Sequence, residues 1–139
     1  MLIAALFSFI YKDGATLDIF LASVTTMITG VLFMFATRKH KKEVQRKEGY
    51  IIVTFGWIVL SLSGMLPYLF TGTIPGVTNA FFETVSGYTT TGASIVDDIE
   101  ALPEGILLWR SLTHWIGGMG IIVLAIAILP LLGLSLIHI

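Results

Sequence analysis

The sequence predicts an all-α membrane protein in which one short helix enters the bilayer without crossing it. Three observations lead there. The 139-residue chain is 55% hydrophobic and 12% charged, with a mean hydropathy of +0.91, whereas about a quarter of residues are charged in soluble domains. Three stretches are apolar and long enough to span a membrane. Between the second and third lies a helical pattern too short to do so.

The first element is the apolar start, "MLIAALFSFIYKDG". It has no basic leader and no small-residue cleavage site, so it does not read as a signal peptide. It reads as the tail of a truncated transmembrane helix. Asp18 to Thr37, "DIFLASVTTMITGVLFMFAT", is uncharged after its first residue and matches the ~20 residues that a bilayer requires. Thr16 or Asp18 is expected to cap it. Residues 1–37 thus form an N-terminal helical unit, one helix truncated and one complete.

Residues 38–49 form a basic loop. Arg38, Lys39, Lys41, Lys42, Arg46 and Lys47 are six of the eight basic residues in the chain. Such loops stay on the cytoplasmic side. No aromatic residues interleave these charges, and the net charge is only −1, so nucleic acid is not an expected partner. The absence of cysteine excludes disulfides, CxxC redox chemistry and cysteine metal sites.

Tyr50 to Phe70 is the second full span and runs outward, with Pro67 near its end. "TGTIPG", Thr71 to Gly76, is a turn-rich exit. From Thr78, where Thr78 or Asn79 is placed to cap, a helical pattern of Ala80, Phe81, Thr84 and Val85 runs to Gly87. Ten residues reach about 15 Å, half the ~30 Å hydrocarbon core. Gly87 is expected to stop the helix. Gly105 to Leu129 is the third span, closed by Pro130 and Gly133. Residues 71–104 carry Glu83, Asp97, Asp98, Glu100 and Glu104 and no Lys or Arg. That asymmetry agrees with the orientation set by the basic loop, with the half-helix entering from outside.

The segment "SGYTTTGAS", Ser86 to Ser94, is then irregular backbone at membrane depth. Unpaired carbonyls cost several kcal/mol each in hydrocarbon, so such backbone persists only if buried in protein or lining water. A dehydrated cation is the natural partner, since carbonyl rings replace its hydration shell. Thr90 and Thr91 offer carbonyls, and Gly92 permits torsions that bulkier residues resist. An ordinary polar turn is the bland alternative; the half-length helix before it and the acidic rim after it weigh against that reading.

"FFETVSGYTTTGAS" followed by "LLWRSLTHWIGGMGIIVLAIAILP" resembles the Trk/Ktr/HKT superfamily of potassium transporters, and most closely its TrkH-type subunits. The likeness runs from about Ile19 to Gly133. It implies four membrane–pore–membrane repeats in one polypeptide, each giving one filter strand. Residues 50–133 look like the first repeat, with its re-entrant pore helix and filter loop. On this resemblance Thr90, Thr91 and Gly92 supply potassium-binding carbonyls. Gly87, Thr89, Ala93, Glu83 and Arg110 support the filter. Gly92, where a serine is associated with sodium transport, favours potassium. The resemblance further implies bacterial inner-membrane localisation and no organic cofactor, with potassium as cargo. Partners would be three further pore repeats, a homodimer mate, membrane lipid and a cytosolic TrkA/KtrA-type nucleotide-binding regulatory subunit. Residues 134–139, "LSLIHI", resemble a translated sequencing adapter and are expected to be a non-native tail.

Arg110 is an intramembrane charge, functional or paired by default, and Glu83 on the half-helix is its expected mate. Glu83 as a direct ion ligand stays open beside that scaffold role. "GGMG", Gly117 to Gly120, lacks the third glycine and the preceding strand of a dinucleotide loop and reads as close helix packing. His114 has no second ligand a helical turn away, so a helix–helix hydrogen bond is expected of it. No nucleophile–base pair or paired catalytic carboxylates stand out, so no catalytic residue is assigned. A non-conducting membrane interaction subunit built like a pore repeat is the competing class.

Overall fold

The computed structural model describes residues 1–38 and 46–131. Most of the basic loop and the 134–139 tail therefore lie outside the described residues. Six helices follow in order: α1 (Leu2–Tyr11), α2 (Thr16–Thr37), α3 (Arg46–Gly64), α4 (Leu66–Phe70), α5 (Val77–Tyr88) and α6 (Glu104–Leu131). Among the described residues there is no strand. Three segments, Thr16–Thr37, Ile51–Phe70 and Glu104–Val123, are long and apolar enough to cross a membrane.

The second span is broken rather than continuous. Pro67 has no N–H for the Ser63 carbonyl and crowds the preceding turn, and the chain leaves the α-helix at Met65 before α4 resumes. The opened turn is used: the Trp109 indole N–H donates to the Gly64 carbonyl at 3.0 Å. At the far end of α6, Pro130 does not end the helix, which runs through it to Leu131.

Two cap expectations fail. α2 starts after Ala15 with no side-chain cap, and Thr16 lies inside the helix. α5 starts after Gly76, whose φ of 88° turns the chain into the helix, while Asn79 donates back to the Pro75 carbonyl. In α2, Asp13 supplies an acceptor from the preceding loop, receiving the Ala15 N–H at 3.0 Å.

The same Asp13 carboxylate ties the N-terminal pair to the third span. It accepts from Ser8 of α1 and from the Gly105 N–H at the start of α6, the latter at 2.8 Å. The Gly105 donor is one of the four N–H groups a helix start leaves unpaired, and an anion is favoured there. Burial opposes the charge on Asp13, but the bonds from Ser8, Gly105 and Ala15 outweigh it and hold the carboxyl below its ordinary value of 3.8. Around this staple, Ala4, Ala5, Ala15, Ile19, Ile74, Ile106 and Trp109 form a buried core with Tyr68 and Ala80. Small residues on α1 let it lie close on α6: a Cβ at Gly105 would come within 2.6 Å of the Ser8 Cβ. The core thus fixes α6 as a post against which α5 leans.

Candidate functional site

α5 has 12 residues, about 18 Å of helix, still well short of a ~30 Å hydrocarbon core. Its end differs from the expected glycine stop. Gly87 lies within the helix, and the left-handed residue is Thr90, with φ of 57°. The Thr90 N–H donates to the Gly87 carbonyl and the Thr91 N–H to the Ser86 carbonyl, both at 3.0 Å. This pair of bonds is a Schellman stop, with a threonine where glycine is usual. A β-branched residue in that region carries a cost of about 1–2 kcal/mol. Gly92 follows at φ 76°, the torsion only glycine adopts freely, as the sequence leads one to expect.

After this reversal the chain returns without regular structure from Thr91 onward. Thr89 to Ala93 are all exposed. Among the described residues, no hydrogen-bond donor meets the Thr90, Thr91 or Gly92 carbonyl oxygens. The oxygens on either side are held: Thr90 Oγ1 donates to the Thr89 carbonyl at 2.7 Å, and Ser86 Oγ to the Ala93 carbonyl. Thr89 and Thr91 hydroxyls lie 2.9 Å apart. The segment is therefore clamped at both ends with three free acceptors between the clamps.

Glu83 holds the return limb. It is 2% exposed. The Arg110 Nε–H donates to its Oε1 at 2.7 Å. Ser94 Oγ reaches both carboxylate oxygens at 3.1 Å, and the Ile95 N–H donates to Oε2 at 3.0 Å. One carboxylate thus ties α5, the returning segment and α6 together. The ion pair is charge-assisted and buried, and its remaining acceptor capacity is used by neutral donors, the condition under which a buried pair is tolerated. The sequence pointed at Arg110 and Glu83 but not at Ser94, a hydroxyl eleven residues from Glu83 with no helical spacing to it, nor at Ile95, whose backbone N–H carries no residue signature.

α6 forms the back wall with one face, in which Thr113 and His114 lie three and four residues after Arg110 and Gly117 one further turn on. Gly87 packs here: a Cβ on it would overlap the Thr113 hydroxyl and lie 3.1 Å from the Thr113 Cβ. His114 Nδ1 donates to the Arg110 carbonyl at 2.9 Å, a bond within its own helix rather than between helices. Its Nε2 faces Gly92, 4.0 Å from where a Cβ on that residue would be. Of the expected filter and support residues, Glu83 and Gly87 lie on α5 and Arg110 on α6, while Thr89, Thr90, Thr91, Gly92 and Ala93 lie in the exposed segment that follows α5. Among the described residues no group of three or more His, Cys, Asp or Glu side chains clusters as a metal site. What the segment offers chemically is a short run of main-chain oxygens without a donor among the described residues, between two hydrogen-bonded ends.

Comparison with known proteins bears on this geometry. Residues 16–137 match the family described as TrkH, cation transport protein. The chain is 42% identical over 136 residues to the Trk system potassium uptake protein TrkH of Vibrio parahaemolyticus, covering 97% of this chain and 28% of that protein. It is 43% identical over 137 residues to the protein of the same name in Escherichia coli K12, again covering 97% and 28%. It is 38% identical over 136 residues to the Trk system potassium uptake protein TrkG of the same strain, covering 96% and 27%. The chain therefore spans little more than a quarter of the length of these relatives. No solved structure matches it.

Proposed function

The chain belongs to the TrkH family of cation transport proteins, and from that premise we propose that it supplies one filter strand of a potassium uptake pathway. The family is one of transporters and not of enzymes, and with three apolar spans the chain is a multi-pass membrane protein. The reading is that α5 dips into the bilayer from outside and that the segment after it faces an ion path. There the Thr90, Thr91 and Gly92 carbonyls take the place of water around potassium. Gly87, Thr89, Ala93, Glu83 and Arg110 hold that segment in shape.

One observation carries the reading. Three consecutive carbonyl oxygens lack a donor among the described residues, in an exposed segment whose neighbours on both sides are pinned. In lipid such a row costs several kcal/mol per group, so the backbone must face protein, water or an ion. A half-helix whose negative C-terminal end points at the reversal adds to the attraction for a cation. The acidic residues Asp97, Asp98, Glu100 and Glu104 on the same side raise its local concentration.

On this reading residues 1–37 are N-terminal membrane helices, 38–49 a cytoplasmic connection whose last four residues are not loop but the first turn of α3, and 50–133 one membrane–pore–membrane repeat in a bacterial inner membrane. One loop gives one side of a carbonyl ring. Three further repeats of a longer polypeptide would complete it, with a homodimer mate and a cytosolic TrkA/KtrA-type regulatory subunit as the wider assembly.

The test is growth at limiting potassium of a host that lacks its own uptake systems, carrying the complete reading frame that encodes this chain. The unaltered protein restores growth. Gly92→Val, which forces a branched side chain onto a φ of 76°, abolishes it without lowering the amount of protein in the membrane. Equal growth with both would overturn the filter assignment and favour a non-conducting interaction subunit.

A further inference from the structure

Gly117 is the point of closest approach between α6 and the end of the short helix. A Cβ placed on it would overlap the Tyr88 carbonyl group, 2.6 Å from the carbonyl carbon and 2.8 Å from the Tyr88 Cα. The obstacle is main chain and cannot rotate away. Its neighbours differ. A Cβ at Gly118 would meet only the Thr90 methyl, at 3.7 Å, and one at Gly120 only the Trp57 ring, also at 3.7 Å. Both are ordinary contacts. Of these three glycines, then, only Gly117 is required by the backbone of α5.

Tyr88 is the last helical residue before the Schellman stop. Its peptide plane determines where Thr89 begins and, through the bonded stop, where the Thr90, Thr91 and Gly92 oxygens lie. The segment has few other supports on this side. Thr113 abuts Gly87 one turn earlier and His114 faces Gly92. Tyr88 is also in contact with α3, with its ring edge-on to Trp57 at 6.5 Å. A side chain at Gly117 would therefore push the end of α5, and with it the start of the filter segment, away from the α6 wall.

We propose that Gly117 is a positioning residue for ion selection: by bringing the bare α6 backbone against the Tyr88 carbonyl, it sets the spacing of the oxygens that follow. The inference rests on the proposed filter role of Thr90 to Gly92. Close packing alone would make Gly117 a stability residue. The positioning role adds that ion discrimination, and not merely protein amount, depends on it.

The experiment uses the complete reading frame in the uptake-deficient host, with membrane abundance measured alongside initial rates of potassium and sodium uptake. If the unaltered protein carries no potassium, the filter reading itself fails. If it does, Gly117→Ala is expected to raise the potassium KM and lower the potassium-over-sodium ratio by about tenfold, the scale of a core overpacked by one methyl. Gly120→Ala is expected to leave the ratio within about twofold, as its added methyl meets only an ordinary contact. Should Gly117→Ala fail to reach the membrane, Gly118→Val is read instead. Its branched side chain presses on Thr90 from the same wall, and the ratio should fall by several-fold. An unchanged ratio in whichever of these two variants is read, at normal abundance, overturns the proposal.

Discussion

Replacing Arg110 by glutamine isolates the interaction that ties the returning segment to both helices. The exchange removes the guanidinium and leaves the Glu83 carboxylate with only the Ser94 hydroxyl and the Ile95 N–H. Breaking a buried ion pair by deleting one partner costs about 3–5 kcal/mol, because the other charge stays behind without compensation. The Arg110 side chain keeps 18% of its exposure and that of Glu83 only 1%, so solvent softens one side of the pair and the low end, about 3 kcal/mol, applies. The double variant Glu83→Gln/Arg110→Gln leaves no buried charge and should regain more than 1 kcal/mol of that loss as a coupling energy. Equilibrium unfolding of the purified protein in detergent measures all four corners of the cycle, and rubidium uptake follows function in parallel. Single losses that add to within about 0.5 kcal/mol in the double variant, with uptake unaffected in each, would refute the view that this pair holds the segment.

Three other outcomes follow from the same geometry. Asp13→Asn should destabilise the protein by about 1–3 kcal/mol at neutral pH, because the charged acceptor at the start of α6 is lost. The Asp13 carboxyl is held below 3.8, so its contribution is complete above that pH and disappears as pH falls through the lower folded value; an acid titration of stability should flatten in the variant. Gly87→Ala should cost about 1–3 kcal/mol through overlap with the Thr113 hydroxyl, and Gly87→Ala/Thr113→Ala should recover most of it in the same unfolding assay. Thr90→Gly relieves a left-handed torsion of 57° and should raise stability by about 0.5–1 kcal/mol. It should slow uptake nonetheless, since the hydroxyl that pins the Thr89 carbonyl at 2.7 Å is gone; a loss of stability would contradict the assigned strain.

The large features were legible because they follow from lengths and solvent. About twenty apolar residues mark a span, and the structure has three helical segments long and apolar enough to cross a membrane. The Glu83–Arg110 pair was legible because a charge in an apolar helix needs a mate. Local stops were not. Gly87 looked like the helix terminator, but the α5–α6 contact needs its missing side chain for packing, and tertiary context moved the left-handed residue to Thr90. Thr16, Asp18, Thr78 and Asn79 all have capping side chains, yet none caps. In α2 the acceptor comes from Asp13, five residues before Asp18, and that same carboxylate reaches Gly105 far along the chain. A bond across that separation leaves no trace in local spacing. The break at Met65 was foreshadowed by Pro67, whose consequence depends on whether neighbouring groups take up the freed carbonyls; here the Trp109 indole takes the one at Gly64.

The most direct measurement is an anomalous-scattering map from crystals of the complete protein grown in rubidium, the heavier stand-in for potassium. A rubidium peak in contact with the Thr90, Thr91 and Gly92 carbonyl oxygens, competed away by potassium and not by sodium, is the predicted result. A map in which those oxygens are hydrogen-bonded within the protein and the ions lie elsewhere would contradict it.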